Sequence, residues 1–202
     1  MKAKATLARG RAPQPTDRRD KILDAALVCF VAEGFHGTAV PEVSKRAGVA
    51  TGTIYHHFPS KEALVNALYR KWKEQIARTV LTAFPPTGSV RDQFRAIWRA
   101  MYDFAKSYPD AFAFLELHNH RSYLDAESLA MENRLKDFGA AMVQRAQKEG
   151  LVKAGSTTLL MELVFGAFIG MMRAHWEGRV KLDEPELELA EVACWDMIAL
   201  EQ

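Results

Sequence analysis

An all-α fold follows from two features of the chain. Apolar residues recur at three- and four-residue intervals along most of its length, and no Val/Ile/Thr-rich alternating run is long enough to argue for a sheet. Gly and Pro then divide the periodic stretches into helix-sized pieces.

The first helix is predicted from Arg18 to Glu33, with Ile22, Ala25, Ala26, Cys29 and Phe30 on one face and Gly34 as its stop. A short second helix, Val40 to Ala47, has Thr38 as candidate N-cap and Pro41 in its first turn, and it stops at Gly48. After a Gly48-Val49-Ala50 turn, Thr51 to Phe58 forms a third helix, too short to be stable alone and ended by Pro59. Ser60 caps a longer fourth helix to about Leu81, with Leu64, Leu68, Trp72 and Ile76 down one side. The segment Ala83 to Gly88, holding Pro85 and Pro86, is the internal boundary. Beyond it, helices are expected near 89–106, 110–121, 125–149, 156–178 and 184–200, punctuated by Pro109, Gly150, Gly155 and Pro185. The expected organisation is a basic, disordered arm over 1–17, a head with its connecting helix over 18–82, and a helical bundle over 83–202.

Charge separates the two parts. Residues 1–82 carry 14 Lys and Arg against 7 Asp and Glu, whereas residues 83–202 carry 13 against 18. A basic head suits a polyanion, because each cation that displaces a condensed counterion from DNA adds salt-dependent affinity. The longest apolar run, Leu159 to Met172, contains Glu162 and two glycines, so no membrane span is expected. The N-terminal stretch lacks the apolar segment of a secretory signal, which points to a cytoplasmic protein. Cys29 and Cys194 lie far apart inside apolar helical patterns and read as core residues.

Two short helices joined by a glycine-containing turn are what a helix-turn-helix requires, since Gly48 can take the positive φ of a sharp corner. The second helix of such a unit enters the major groove with its N-terminal residues against the bases. Thr51 and Thr53 can hydrogen-bond or touch a thymine methyl, Gly52 allows close approach, and Tyr55 and His56 carry polar-ended rings. Ile54 and Phe58, four apart, should face the core. Lys45, Arg46 and Lys61 flank the helix as cations, and the helix start at Ser60 offers N–H groups to a phosphate. His57 reads as packing rather than contact, and neighbouring histidines on a helix do not face one metal.

The stretch from Lys21 to Tyr69, with ILDAA, EGF…GT, AGV, GTIYHHF and FPSKEAL in order, closely resembles the N-terminal domain of the tetracycline-repressor (TetR) family. The resemblance implies nine helices: a three-helix DNA-binding head, a connecting fourth helix, and a ligand-holding body that dimerises through its last two helices. It also implies that Thr51, Gly52, Thr53, Tyr55 and His56 contact DNA and that Lys61 contacts a phosphate. The chain departs from the family pattern at Pro41, often basic in that family, and at Ala50-Thr51, often Ser-Lys. The arm residues Lys2, Lys4, Arg9 and Arg11 can replace part of that phosphate affinity.

In the body, Phe94, Trp98, Met101, Tyr102, Phe104, Phe112 and Phe114 are core residues by default. As a set they also suit an adaptable apolar pocket, with Trp98, Tyr102, His118 and Phe165 as candidate effector contacts. Glu116, His118 and His120 cluster, yet without the i,i+4 histidine spacing of a helical zinc site, so neither metal nor cofactor is expected. Gly166, Gly170, Ala174 and Gly178 recur every four residues, and each glycine lowers helix propensity by about 1 kcal/mol relative to Ala. Close helix approach is the compensating reason. Either the stripe joins Leu187, Ala190, Cys194, Met197 and Ile198 of the last helix in a two-fold dimer interface, or it packs within one subunit.

These readings predict a homodimeric regulator that binds a double-stranded operator and is released by an apolar or amphipathic small molecule. The rival is a ligand-independent DNA-binding protein of the same fold with an architectural or cell-cycle role, which a filled core would favour. No nucleophile–base pair, metal spacing or phosphate-cradling glycine loop argues for an enzyme.

Overall fold

In the computed structural model, which describes residues 18–200, the chain forms α1 (Arg18–Gly37), α2 (Val40–Ala47), α3 (Thr51–His57), α4 (Lys61–Ala83), α5 (Val90–Ser107), α6 (Pro109–Leu117), α7 (Ala126–Lys148), α8 (Thr157–Trp176) and α9 (Glu184–Asp196). The basic arm with Lys2, Lys4, Arg9 and Arg11 lies outside the described residues. The chain groups into two compact units, one ending at Leu64 and the other running from Val65. Most of α4 therefore counts with the second unit, whereas the Pro85-Pro86 boundary assigns it to the head.

In the first unit, α1 buries Ile22, Leu23, Ala26 and Phe30, α2 adds Val43, and α3 adds Ile54, with Phe58 and Leu64 completing the core. The helix of α1 is broken at Gly34 (φ 66°, ψ −178°), so the turn after Glu33 is a separate one. Thr38 does not cap α2. Its side chain is buried and its hydroxyl lies 2.7 Å from the Gly34 carbonyl oxygen and 3.1 Å from that of Cys29, which ties the corner to α1 instead. Ala39 takes the cap position, and its N–H donates to the Glu42 carboxylate at 3.2 Å. Gly48 ends α2 in the left-handed region (φ 67°, ψ 35°). The Val49 N–H reaches back to the Ser44 carbonyl at 3.1 Å, satisfying a carbonyl the helix end leaves open.

The second unit is held by interlocking rings and by ion pairs that reach into it. Trp98 meets Phe168 edge-on (5.5 Å between centroids, 85°), and Phe168 meets Phe112 at 5.9 Å. Such edge-to-face pairs add to the burial of the rings themselves. Arg91 of α5 makes a bidentate pair with Glu191 of α9, Nη2 donating to Oε2 at 2.8 Å and Nη1 to Oε1, while the Glu191 side chain is only 8% exposed. Phe94 and Trp195 pack beside it, with the Arg91 guanidinium 5.2 Å from the Trp195 ring.

Three helices of this unit end earlier than their periodicity suggests. The α6 helix stops at Leu117 because His118 turns extended and the His120 ring swings inward, Nδ1 2.7 Å from the Tyr123 hydroxyl and Nε2 against the Phe114 carbonyl. At α8 the end is Trp176: the Arg179 N–H bonds the Ala174 carbonyl at 2.9 Å around Gly178, which has φ 73°. The last helix stops at Asp196 since the following residues pair with another segment, Lys153 N–H to Ile198 O at 2.8 Å and Leu200 N–H to Leu151 O at 3.0 Å. By length and composition α8 could cross a membrane, with a mean hydropathy of 1.4 over its most apolar window. The sequence expectation of no such segment is corrected to that extent.

Arg91→Met leaves the Glu191 carboxylate buried, with the Nε of the largely exposed Arg95 a longer 3.7 Å away. The expected loss in chemical denaturation is about 1.5–3 kcal/mol. Adding Glu191→Leu should restore much of it, because replacing both members of a buried pair removes the stranded charge. A double variant as unstable as the single one would contradict this account.

Candidate nucleic-acid interface and effector cavity

The outer side of α3 is laid out by what its inner side buries. Ile54 and Phe58 are 1% and 3% exposed, and the Arg19 guanidinium lies over the Phe58 ring at 5.3 Å. With those two fixed, Gly52, Tyr55 and His56 are exposed, and Tyr55 keeps 49% of its surface open. A Cβ at Gly52 would meet no atom within 4 Å, so another molecule can approach the backbone there. Thr53 is half-buried, as is His57, whose ring meets that of His56 edge-on at 5.5 Å.

Thr51 has a second task. The Ser44 hydroxyl donates to the Pro41 carbonyl at 2.8 Å, so in the 2.9 Å contact between the two hydroxyls Thr51 is the donor and Ser44 the acceptor. Its hydroxyl proton thus joins α2 to the start of α3, and the oxygen keeps its capacity to accept. Lys45 and Arg46 are exposed in the last turn of α2. Arg46 also reaches Cys29, whose thiol burial pushes up against the pull of that guanidinium. Lys61 is half-buried, its ammonium 4.5 Å from the centre of the Phe35 ring, which fixes a cation at the start of α4. The Ser60 hydroxyl caps that start by accepting from the Ala63 N–H at 3.1 Å.

A cavity of about 490 Å³ opens in the second unit, walled by α4, α5, α7 and α8. Trp98 and Phe165 line it, but Tyr102 and His118 do not. Tyr102 is buried one turn beyond Trp98 with the Lys106 ammonium over its ring, and His118 sits past the end of α6, its ring 6.2 Å from that of His120. Burial pushes the His120 imidazole down, so it stays neutral at pH 7, Nε2–H donating to Phe114 and Nδ1 accepting from Tyr123. The neighbouring loop is tied to α4: the Asn66 side chain donates to the Tyr123 carbonyl and accepts from the Asp125 N–H, both at 2.8 Å, and Arg70 pairs with Asp125 at 2.8 Å. The cavity's charged lining, Lys73, Glu116, Glu132, Lys136 and Glu162, was not brought together by sequence reading. Only the i,i+4 spacing of Glu132 and Lys136 signalled any of it.

Of the interface candidates, Gly166 and Gly170 are exposed, and a Cβ on either meets nothing within 4 Å. Tight packing of these two glycines within the subunit is thereby set aside. Gly178 is not on the stripe, since it lies past the end of α8 as the left-handed residue of the turn. Ala174, Cys194 and Ile198 are buried in the chain's own core, while Ala190 and Met197 are half-buried. The outward apolar residues are instead Leu159 and Leu163 of α8 and Leu189 and Val192 of α9, 42–63% exposed. Interior and exterior apolar faces carry the same residue types, so periodicity alone did not separate them.

Two family models match the chain. Residues 22–68 match "Bacterial regulatory proteins, tetR family", and residues 69–200 match "Tetracyclin repressor-like, C-terminal domain". The HTH-type transcriptional activator FasR of Mycolicibacterium smegmatis is 33% identical over 96 residues, 48% of this chain and 44% of that protein. The HTH-type transcriptional repressor KstR2 of Rhodococcus jostii is 25% identical over 153 residues, 68% of this chain and 72% of that protein. The chain covers under half the length of FasR. The crystal structure of a TetR family transcription regulator from Marinobacter aquaeolei VT8 has the same fold, with a TM-score of 0.81 and 24% identity over 91% of this chain and 96% of that one.

Gly48→Val should destabilise the first unit by about 1–2 kcal/mol, the strain of a left-handed conformation for an L side chain, although nothing lies within 4 Å of the added Cβ. Thermal denaturation followed by circular dichroism measures it. An unchanged midpoint would show that the corner does not depend on its positive φ.

Proposed function

We propose, because this chain belongs to the TetR family of bacterial regulatory proteins, that it is a DNA-binding transcriptional regulator acting in the cytoplasm, which as a homodimer represses transcription from an operator and is released by an apolar or amphipathic effector. The observation that carries the DNA-binding reading is the outward set Gly52, Tyr55 and His56 on a helix whose inner face is buried in a three-helix head. In that arrangement α3 lies in the major groove with Thr53, Tyr55 and His56 at base edges, Gly52 letting the backbone approach, and Thr51 offering its lone pairs. Lys45, Arg46 and Lys61 bear on phosphates.

Repression is the sign we favour, because the match to one protein named as a repressor spans 153 residues, 68% of this chain, and so includes part of the body, while the match to the activator spans 96 residues. The cavity supports effector control over the ligand-independent alternative, which calls for a filled core. The helix α4 runs from Lys61 in the head to Ile76, Ala77 and Val80 in the cavity wall. An occupant that bears on those residues bears on a helix that begins in the head. It shifts the population away from the DNA-bound state only insofar as it binds the other state better.

Dimerisation is supported by α8 and α9, which turn Leu159, Leu163, Leu189 and Val192 outward beside the open Gly166 and Gly170. A second copy of the chain would bury that surface about a two-fold axis.

Selection of bound sequences from a random DNA pool tests the first reading. A two-fold-symmetric motif is expected, and Thr53→Ala with Tyr55→Ala should weaken binding to it roughly 30-fold or more, as for the loss of two base contacts. Non-specific binding should persist and fall with salt at a slope of about −0.9 per neutralised phosphate. Selective binding that survives the double variant would place recognition elsewhere.

Gly170→Leu tests the interface. Within the subunit a Cβ at this exposed position meets nothing within 4 Å, so helicity should hold, while overpacking at a two-fold contact costs about 1–3 kcal/mol. Sedimentation across a dilution series should show a weaker dimer, with operator affinity falling alongside it. A folded variant that stays fully dimeric would sink the assignment.

A further inference from the structure

The cavity is apolar along most of its length and ionic at one region, and the state of those ions restricts what can bind. Ile76 and Val80 of α4, Trp98 and Met101 of α5, and Phe165 and Phe168 of α8 supply apolar wall. Against them stand two ion pairs. Lys73 Nζ donates to Glu116 Oε1 at 3.0 Å, the two side chains 12% and 10% exposed, and at the more open Lys136–Glu132 pair, 49% and 21% exposed, Nζ lies 2.7 Å from Oε1. The Tyr69 hydroxyl also donates to Glu132, and these bonds with the Lys73 charge hold that carboxyl below its usual range although burial pulls the other way. A third acid, Glu162, is exposed.

We propose that the cavity, on the reading that it is the effector site, is built for an uncharged amphiphile: an apolar body carrying a hydroxyl or carbonyl head that sits between the Lys73–Glu116 and Lys136–Glu132 pairs. Lys73 already holds Glu116 with both side chains nearly buried, so an anionic head gains that lysine only by displacing the carboxylate and stranding it where unpaired charge is heavily penalised. Lys136, its side chain 49% exposed, offers an anion only the weak attraction of a solvent-facing charge. A cationic head meets the mirror-image obstacle at Glu116 and Glu132. The exposed Glu162 offers it little, because pairs in contact with solvent contribute weakly. A hydroxyl can donate to a spare carboxylate lone pair and accept from a spare ammonium N–H, leaving both ion pairs intact. The volume of about 490 Å³ lies within the range that encloses most of a drug-sized molecule.

Calorimetric titration of the DNA-free protein at pH 7.5 with three probes of matched chain, decan-1-ol below its solubility limit and decanoate and decyltrimethylammonium below their micelle concentrations, tests this. Decanol should bind at least about tenfold more tightly than either charged probe, a modest share of the penalty for stranding a buried ion. Equal or tighter binding of a charged probe, or no binding by any of the three, overturns the proposal. Glu116→Gln releases Lys73 and should raise decanoate affinity about tenfold over wild type, and Lys73→Met releases Glu116 and should do the same for the ammonium probe. Circular dichroism establishes which variants fold. A folded variant that leaves the order of the three probes unchanged shows that the head group does not sit at this pair, and the wild-type series decides alone if neither folds. Operator release is measured separately. Decanol that binds but leaves the protein on DNA refutes the effector reading and not this one, while release by a charged probe alone refutes this one and keeps the effector reading.

Discussion

A helix of seven residues does not hold its shape in water, because the few hydrogen bonds it closes do not offset the entropy of ordering its ends. What α3 presents to its surroundings therefore depends on the burial of Ile54 and Phe58 against α1 and α2, and on the corner at Gly48 that brings α3 to them. Burying those two side chains contributes on the order of 1.5–3 kcal/mol each, and the hydroxyl relay from Thr51 through Ser44 to Pro41 adds direction where the apolar contacts are non-directional. The residues on the opposite side of α3 inherit their exposure from this anchoring. A recognition surface arises here as the remainder of a packing problem, which is why a short helix can carry it.

The second unit solves a different problem, keeping walls apart rather than bringing faces together. A void of about 490 Å³ forfeits dispersion contacts along its whole lining, and something else must hold α4, α5, α7 and α8 around it. Directional contacts do so. The Asn66 and Arg70 bonds fix the loop before α7 to α4, the Arg91–Glu191 fork fixes α5 to α9, and the Trp98–Phe168–Phe112 rings brace the interior side. Each holds its helices together without filling the space.

How much of this was legible follows the range of the interactions. The head was readable nearly to the residue, since Gly48, Pro59, Ser60 and the Ile54/Phe58 spacing are local signals whose meaning does not depend on distant chain. Where a distant partner intervened, reading failed. Thr38 looked like a cap but is claimed by the carbonyls of Cys29 and Gly34. The end of α9 was placed too late because Leu200 pairs with Leu151, a contact 49 residues away in sequence that no periodicity announces. Trp98 and Phe165 were placed at the cavity by residue type alone, while the same reasoning misplaced Tyr102 and His118, one buried in packed core and the other beyond a helix end. The charged lining was missed because Lys73 and Glu116 become a pair only when α4 and α6 meet.

The composition of α8 shows how two burial demands on one helix merge in a sequence. A helix with one buried stripe alternates apolar and polar faces, whereas one covered on both sides is apolar nearly all round. Leu160, Phe168 and Met172 face the interior of the unit, while Leu159 and Leu163 face outward beside Gly166 and Gly170. The summed hydropathy then reaches that of a membrane span although only 22% of the window is buried within the chain. Lipid rewards an unbroken apolar surface, and Glu162 interrupts the outward side. A protein surface tolerates such a polar residue where it can hydrogen-bond, and gains from glycines that let a second backbone come close. On the dimer reading, the hydropathy of α8, its unmet glycines and its outward leucines have one cause, a helix that serves as core on one side and as interface on the other.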